Sequence, residues 1–127
     1  MTVRHGFSPF LECSSKGDKR FSAFYARVEK RDGKSIEEMY QASKRFADGS
    51  TNLTWREAKG RRAINMNYCE RHYIRLWTEY IDENPELLTV LLNATGMSDI
   101  FGQPGHVCQA TVLWDIRSKH LKKMEKA

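Results

Sequence analysis

The chain has 127 residues, 40% of them hydrophobic and 29% charged, with a formal net charge of +5; this fits one domain and excludes wholesale disorder and fibrous repeats. The most apolar stretch, residues 87–92, is far short of the roughly 20 residues a membrane helix needs, and Met1-Thr2-Val3-Arg4-His5 lacks the apolar core of a secretory signal, so no membrane partner is expected. Three cysteines, Cys13, Cys69 and Cys108, make no disulfide framework, and their odd number points to a reducing cytoplasm.

Charge is distributed unevenly along the chain. Residues 16–34 carry seven Lys or Arg against three acids, residues 68–116 two against seven, and residues 117–127 five against one. A positive N-terminal third is compatible with a phosphate-bearing ligand or nucleic acid, and equally with solvated surface lysines.

In chain order, residues 21–28 (Phe-Ser-Ala-Phe-Tyr-Ala-Arg-Val) alternate and predict a short strand, with Arg31-Asp32-Gly33-Lys34 as the turn after it. Ser35 and Glu38 have capping-box spacing, and Ile36, Met39, Tyr40 and Ser43 recur at helical intervals, predicting a first helix up to Phe46. Thr54 and Glu57 repeat the box for a short second helix to about Arg62, which Gly60 weakens.

Cys69, Tyr73, Leu76, Trp77, Tyr80 and Ile81 form an apolar stripe over residues 68–83, a third helix. Pro85 opens a fourth, leucine-rich and buried, which Gly96 stops. Residues 99–106 hold two glycines and a proline, hence a shaped loop. Ala110, Leu113, Trp114, Arg117 and Leu121 mark a last helix whose Lys-rich end frays. The expected fold class is α+β, mainly α: one compact domain over residues 1–127. Residues 1–20 form an irregular basic segment, a short strand lies near the N-terminus, and residues 118–127 are the Lys-rich helix end.

Three groups of side chains carry chemistry. On a helix starting after Ser35, the i,i+3 and i,i+4 spacing puts Glu37, Tyr40, Gln41 and Lys44 on one face. In a cleft, that carboxylate orients water or stabilises a developing cation while phenol and amide position a polar ligand; on an open surface it is a solvated face. Ser14-Ser15-Lys16-Gly17-Asp18-Lys19-Arg20 has the small hydroxyls, glycine and cations of a phosphate-contacting loop without the P-loop pattern. Cys69-x-x-His72 with His106-x-Cys108 has the residue types of a zinc site, but Cys69 falls on the apolar stripe and the His-x-Cys spacing is atypical. No metal and no cofactor are expected. A serine or cysteine nucleophile lacks a recognisable context.

Read in order, Phe21-Ser22-Ala23-Phe24-Tyr25, then Ser35-Ile36-Glu37-Glu38-Met39-Tyr40-Gln41-Ala42-Ser43-Lys44, then Asn84-Pro85-Glu86-Leu87 and Leu91-Leu92-Asn93-Ala94-Thr95-Gly96 resemble the NADAR (YbiA-like) superfamily. Its pattern runs F/L-S-N-F-Y, S-V-E-H-x-Y-Q-A-x-K, and N-P-x-L before L-L-x-T-G, and the order and spacing agree over about residues 20–117.

The resemblance implies a compact, mainly helical protein of bacterial or phage type, linked to nucleotide and ADP-ribose metabolism and including N-glycosidases that cleave a base-to-sugar C–N bond. It places Glu37 at the position of the family's catalytic glutamate, with Tyr40, Gln41 and Lys44 as its neighbours and Asp99 as a second acid. For a ribose-phosphate-containing substrate, residue chemistry then gives Lys19 and Arg20 to the phosphate and Phe24 or Trp55 to the base. The chain departs from the pattern at Ala23 (usually Asn), at Glu38 (often His) and in Asp99-Ile100-Phe101-Gly102, a shortened D-x-x-W-G element. These departures leave room for a changed substrate, or for a non-catalytic module that binds nucleotide or nucleic acid through the basic loop.

Overall fold

The computed structural model describes residues 2–4, 10–99 and 108–126. The elements run β1 (Thr2–Arg4), β2 (Phe10–Glu12), β3 (Arg27–Val28), β4 (Lys34–Ser35), α1 (Ile36–Ala42), α2 (Trp55–Ala58), α3 (Met66–Glu83), α4 (Pro85–Asn93), β5 (Gly96–Ser98) and α5 (Gln109–Lys126). The architecture is α+β and mainly helical, as the apolar periodicities predict.

Two amphipathic helices hold the core. Helix α3 buries Cys69, Tyr73, Leu76, Trp77, Tyr80 and Ile81, and α5 buries Ala110, Val112, Leu113 and Ile116. Trp77 meets Tyr73 and Tyr80 edge-on, with ring centroids 6.4 and 5.5 Å away, the arrangement the ring quadrupoles favour. Phe21, Ile36, Leu91 and Met97 complete the same cluster. A satellite core of Phe46, Ala58 and Ala63, with Leu53 and Met66 against it, lies beneath α2.

The sheet has β5 at its centre, antiparallel to β1 and parallel to β2, with Met97 opposite Val3 and Leu11. The sequence reading takes residues 1–20 as irregular and Gly96 as a helix stop. Instead α4 ends at Asn93, Ala94 turns extended, and Gly96 opens the central strand. A three-residue strand is too short to alternate visibly, and pairing with distant segments supplies its hydrogen bonds.

The strand expected over residues 21–28 contracts to β3. Asp18 caps a 3-10 turn at Lys19–Phe21 by accepting from the Arg20 N–H. The Ser22 carbonyl then accepts from the N–H groups of Tyr25 and Ala26, curling the segment. β3 pairs with β4 through a connection in which Asp32 and Gly33 take φ 60° and 67°.

This hairpin is fastened to α3. The Glu83 carboxylate accepts the N–H groups of Glu29 and Lys30 at 2.8 and 3.0 Å, and Glu79 takes Arg31 with two bonds of 2.9 Å. The anchored hairpin delivers Ser35 to the start of α1, where the Ser35–Glu38 capping box forms as expected.

Helix α1 is shorter than the expected run to Phe46. Ser43 tightens its end by donating to the Met39 and Tyr40 carbonyls, and the chain leaves the helix at Lys44. Helix α2 keeps its Thr54–Glu57 box but ends at Ala58 rather than near Arg62, with Gly60 at φ 80°. Helix α5 extends to Lys126. No helix among the described residues is long and apolar enough to cross a membrane.

Candidate active site

Glu37 lies in the first turn of α1, half-buried, its N–H donating to the Ala23 carbonyl at 2.9 Å. One turn on, Gln41 donates Nε2 to Glu37 Oε1 at 2.8 Å. This is the i,i+4 contact the sequence spacing requires. Gln41 is 4% exposed, and its Oε1 is buried with no hydrogen-bond partner among the described residues. The amide therefore orients the carboxylate with one end and keeps a buried acceptor at the other.

The second carboxylate reaches this group through a side chain that sequence reading missed. Gln109, at the start of α5, accepts the Ala23 N–H on Oε1 at 2.7 Å and donates Nε2 to Asp99 Oδ2 at 2.9 Å. Ala23 thus holds Glu37 by its carbonyl and Asp99 by its N–H, the latter through Gln109. Asp99 is 4% exposed.

Tyr73 is the other addition. Burial raises its phenol well above the usual range, with Glu37, Cys108 and Asp99 adding to the effect. Both carboxylates therefore bear on one neutral phenol. Its place on the apolar stripe marks it only as core, and Gln109 follows the glycine-rich loop with no signal of its own.

The rest of the expected α1 face divides. Tyr40 turns inward, edge-on to Tyr73 at 5.0 Å; burial lifts its hydroxyl to about 12, with Cys69 and Glu37 contributing. Lys44, 5% exposed, donates Nζ to the carbonyls of Ala58 and Arg61 at 3.3 and 3.1 Å. Burial lowers its pKa and Glu37 opposes that shift. Its ammonium clamps α2 and the turn after it onto α1.

Phe24 and Trp55 come together edge-on at 5.5 Å. The Lys59 ammonium stands over both rings, 5.2 and 5.6 Å from their centroids, a cation–π contact that sequence reading did not foresee. Phe24 follows Ala23 directly, so this cationic aromatic pair borders the Glu37 segment.

Lys19 and Arg20 make local contacts. Arg20 is exposed and bound through Nε and Nη2 to Asp18 at 3.0 and 2.7 Å, which lowers the Asp18 pKa. Lys19 holds its ammonium 4.9 Å from the centre of the Tyr25 ring.

Cys13, Cys69 and Cys108 are all buried. Cys69 donates its thiol to Asn65 Oδ1 at 3.5 Å, the small-hydrophobe placement its helix position suggests, while His106 lies outside the described residues. Among the described residues no cluster of three or more His, Cys, Asp or Glu is arranged to hold a metal. The loop residues 100–106 also lie outside the described residues.

Comparison with known proteins returns no matching family model and no matching curated protein.

Proposed function

We propose that this protein is a NADAR-like N-glycosidase that hydrolyses the C–N bond of a ribosyl or ADP-ribosyl substrate. The observation that carries the reading is the Glu37–Gln41 pair, joined through Ala23 and Gln109 to the buried Asp99. Breaking the C–N bond leaves the sugar's anomeric carbon with oxocarbenium character, and a fixed, half-shielded carboxylate stabilises that charge more than water does.

Glu37 faces the developing cation and directs a water at the anomeric carbon. The C–N electron pair leaves with the nitrogen, which takes up a proton as the water oxygen bonds to carbon and loses one. Asp99 serves as the second acid. Gln41 Oε1 accepts from a sugar hydroxyl, and the Phe24–Trp55 pair with Lys59 takes the flat, anionic part of a nucleotide.

The test compares wild type with Glu37→Gln on a panel of ribosylamine and ADP-ribosyl substrates, reading the released base by liquid chromatography. Turnover should fall at least about 100-fold at an unchanged melting temperature, the scale set by removing one transition-state electrostatic group. A wild type inert on the whole panel, or a Glu37→Gln variant of full activity, overturns the reading.

A further inference from the structure

On the side of α1 away from the Glu37–Gln41 pair runs a concave surface. A groove of about 820 Å³ is lined along α1 by Glu38, Met39, Ala42 and Ser43, roughly opposite Glu37 and Gln41 on the helical wheel. It shares Ala42, Ser43, Asn52 and Tyr68 with an adjoining depression of about 550 Å³, which in turn shares Asn65 with a third of about 490 Å³. Together they form one elongated track.

Its chemistry is one-sided. Lys34 and Arg56 line the first part, Arg45 the second and Arg62 the third, all four exposed and, among the described residues, outside every ion pair. Lys30 and Arg31 add charge at the first end, both drawn toward Glu79. Glu79 opposes them from beneath, and among the described lining residues Asp32 and Glu38 add negative charge, Glu38 engaged by the Ser35 N–H at 2.6 Å.

Aromatic faces lie between the cations. Tyr68 is 49% exposed and stacks nearly parallel to His72, at 5.9 Å and 12°. Trp55 lines the same groove beneath the Arg56 guanidinium, 5.2 Å from its ring centre. Burial, with Arg31 and Arg75, lowers the His72 pKa, so its ring is uncharged near neutral pH.

We infer that this track binds a single strand of nucleic acid, with Lys34, Arg45, Arg56 and Arg62 on the phosphates and Tyr68 stacking on a base. Four exposed cations spread over three adjoining depressions favour a strand over one nucleotide, and the exposed Tyr68 ring among them favours an unpaired base over a duplex. The surface is distinct from the Lys16–Arg20 loop and does not depend on the hydrolase reading.

The probe is fluorescein-labelled oligo(dT), titrated by fluorescence anisotropy over a range of salt. Tyr68→Ala should weaken binding about tenfold and Tyr68→Phe hardly at all, since stacking carries about 1–3 kcal/mol per base. The double change Lys34→Gln and Arg45→Gln should flatten the log–log salt slope by about 1.4, the value for two phosphate contacts on a single strand.

Circular dichroism melts establish that each variant is folded, and Lys34→Gln with Arg45→Gln stands as the deciding variant if Tyr68→Ala is not. Absence of wild-type binding at low salt overturns the inference. So does equal affinity for a duplex of the same length, displacement by AMP at matched nucleotide concentration, or loss of binding on Lys16→Gln with Lys19→Gln while the track variants bind normally.

Discussion

Gln109 grips Asp99 with its amide nitrogen and the backbone of Ala23 with its amide oxygen, 2.9 and 2.7 Å away. A single side chain at the start of α5 therefore joins the end of β5 to the segment on which Glu37 rests.

Replacing it by leucine keeps volume and removes both bonds. Gln109→Leu leaves the Ala23 N–H without its acceptor in a buried place, a change that costs about 1–3 kcal/mol, and urea unfolding should register it. Gln109→Glu keeps an acceptor for Ala23 but sets a second carboxylate against Asp99. The folded state of that variant retains protons that the unfolded chain gives up, so its stability should fall as pH rises through the carboxylate range. A variant as stable as wild type at every pH would mean that the Gln109 bridge contributes nothing.

Lys44 tests the clamp between α1 and α2. Lys44→Met preserves the alkyl stem and withdraws the ammonium from the Ala58 and Arg61 carbonyls, for a cost of about 1–3 kcal/mol. Amide hydrogen exchange should speed up selectively over residues 54–61, with the α3 core protected as before. The wild-type pH dependence carries a sign as well. Burial lowers the folded Lys44 pKa below 10.5, so the unfolded chain binds more protons in the interval below that value. Stability relative to Lys44→Met should rise with pH across that interval and level off above it.

His72 carries the acid-side counterpart. Its imidazole is held below 6.5 by burial first, then by Arg31 and Arg75, with Glu79 opposing, and its Nδ1 is buried without a hydrogen-bond partner among the described residues. Between the folded value and 6.5 the unfolded chain takes the extra proton, so the contribution of neutral His72 is complete above 6.5 and is lost as pH falls through that interval. His72→Phe keeps a ring against Tyr68 and abolishes the titration. The difference in unfolding free energy between the two proteins should be flat above pH 6.5 and move against wild type below it, and a parallel pair of curves would disprove the assignment.

What the sequence made legible divides along the range of the interactions. Glu37 and Gln41 were readable because four residues on a helix fix their meeting, and both capping boxes because their partners are three apart. The α3 stripe was readable because period 3.6 over eighteen residues admits one reading. The central strand β5 was not, since Gly96 carries the same local signal as a helix stop and only pairing with β1 and β2 makes it extended. The Lys44 ammonium stays over the Tyr40 ring, 5.5 Å from its centre, as the helical spacing implies, but its bonds to carbonyls fourteen and seventeen residues away were not legible. Gln109 and Ala23 are 86 residues apart, and no spacing rule connects them.

Gly17 shows how close approach, rather than backbone freedom, can demand glycine. The Asp18 N–H donates to the Glu12 carbonyl at 2.8 Å, and a Cβ built on Gly17 would lie 2.1 Å from that same oxygen and 2.5 Å from Glu12 Cγ. Gly17→Ala must therefore push the turn away from Glu12, whose carboxylate also takes the Ser14 N–H and the Ser98 hydroxyl. The displacement propagates through Asp18 to the 3-10 turn, where the Arg20 carbonyl accepts from the Tyr80 hydroxyl at 2.7 Å. The expected loss is about 1–3 kcal/mol, the scale of overpacking. Gly49→Ala makes the contrast: its Cβ meets nothing within 4 Å, but φ is 88°, so its cost is the left-handed penalty of about 1 kcal/mol. Urea titrations should rank Gly17→Ala below Gly49→Ala in stability, and the reverse order would place the Gly17 turn farther from Glu12 than it stands here.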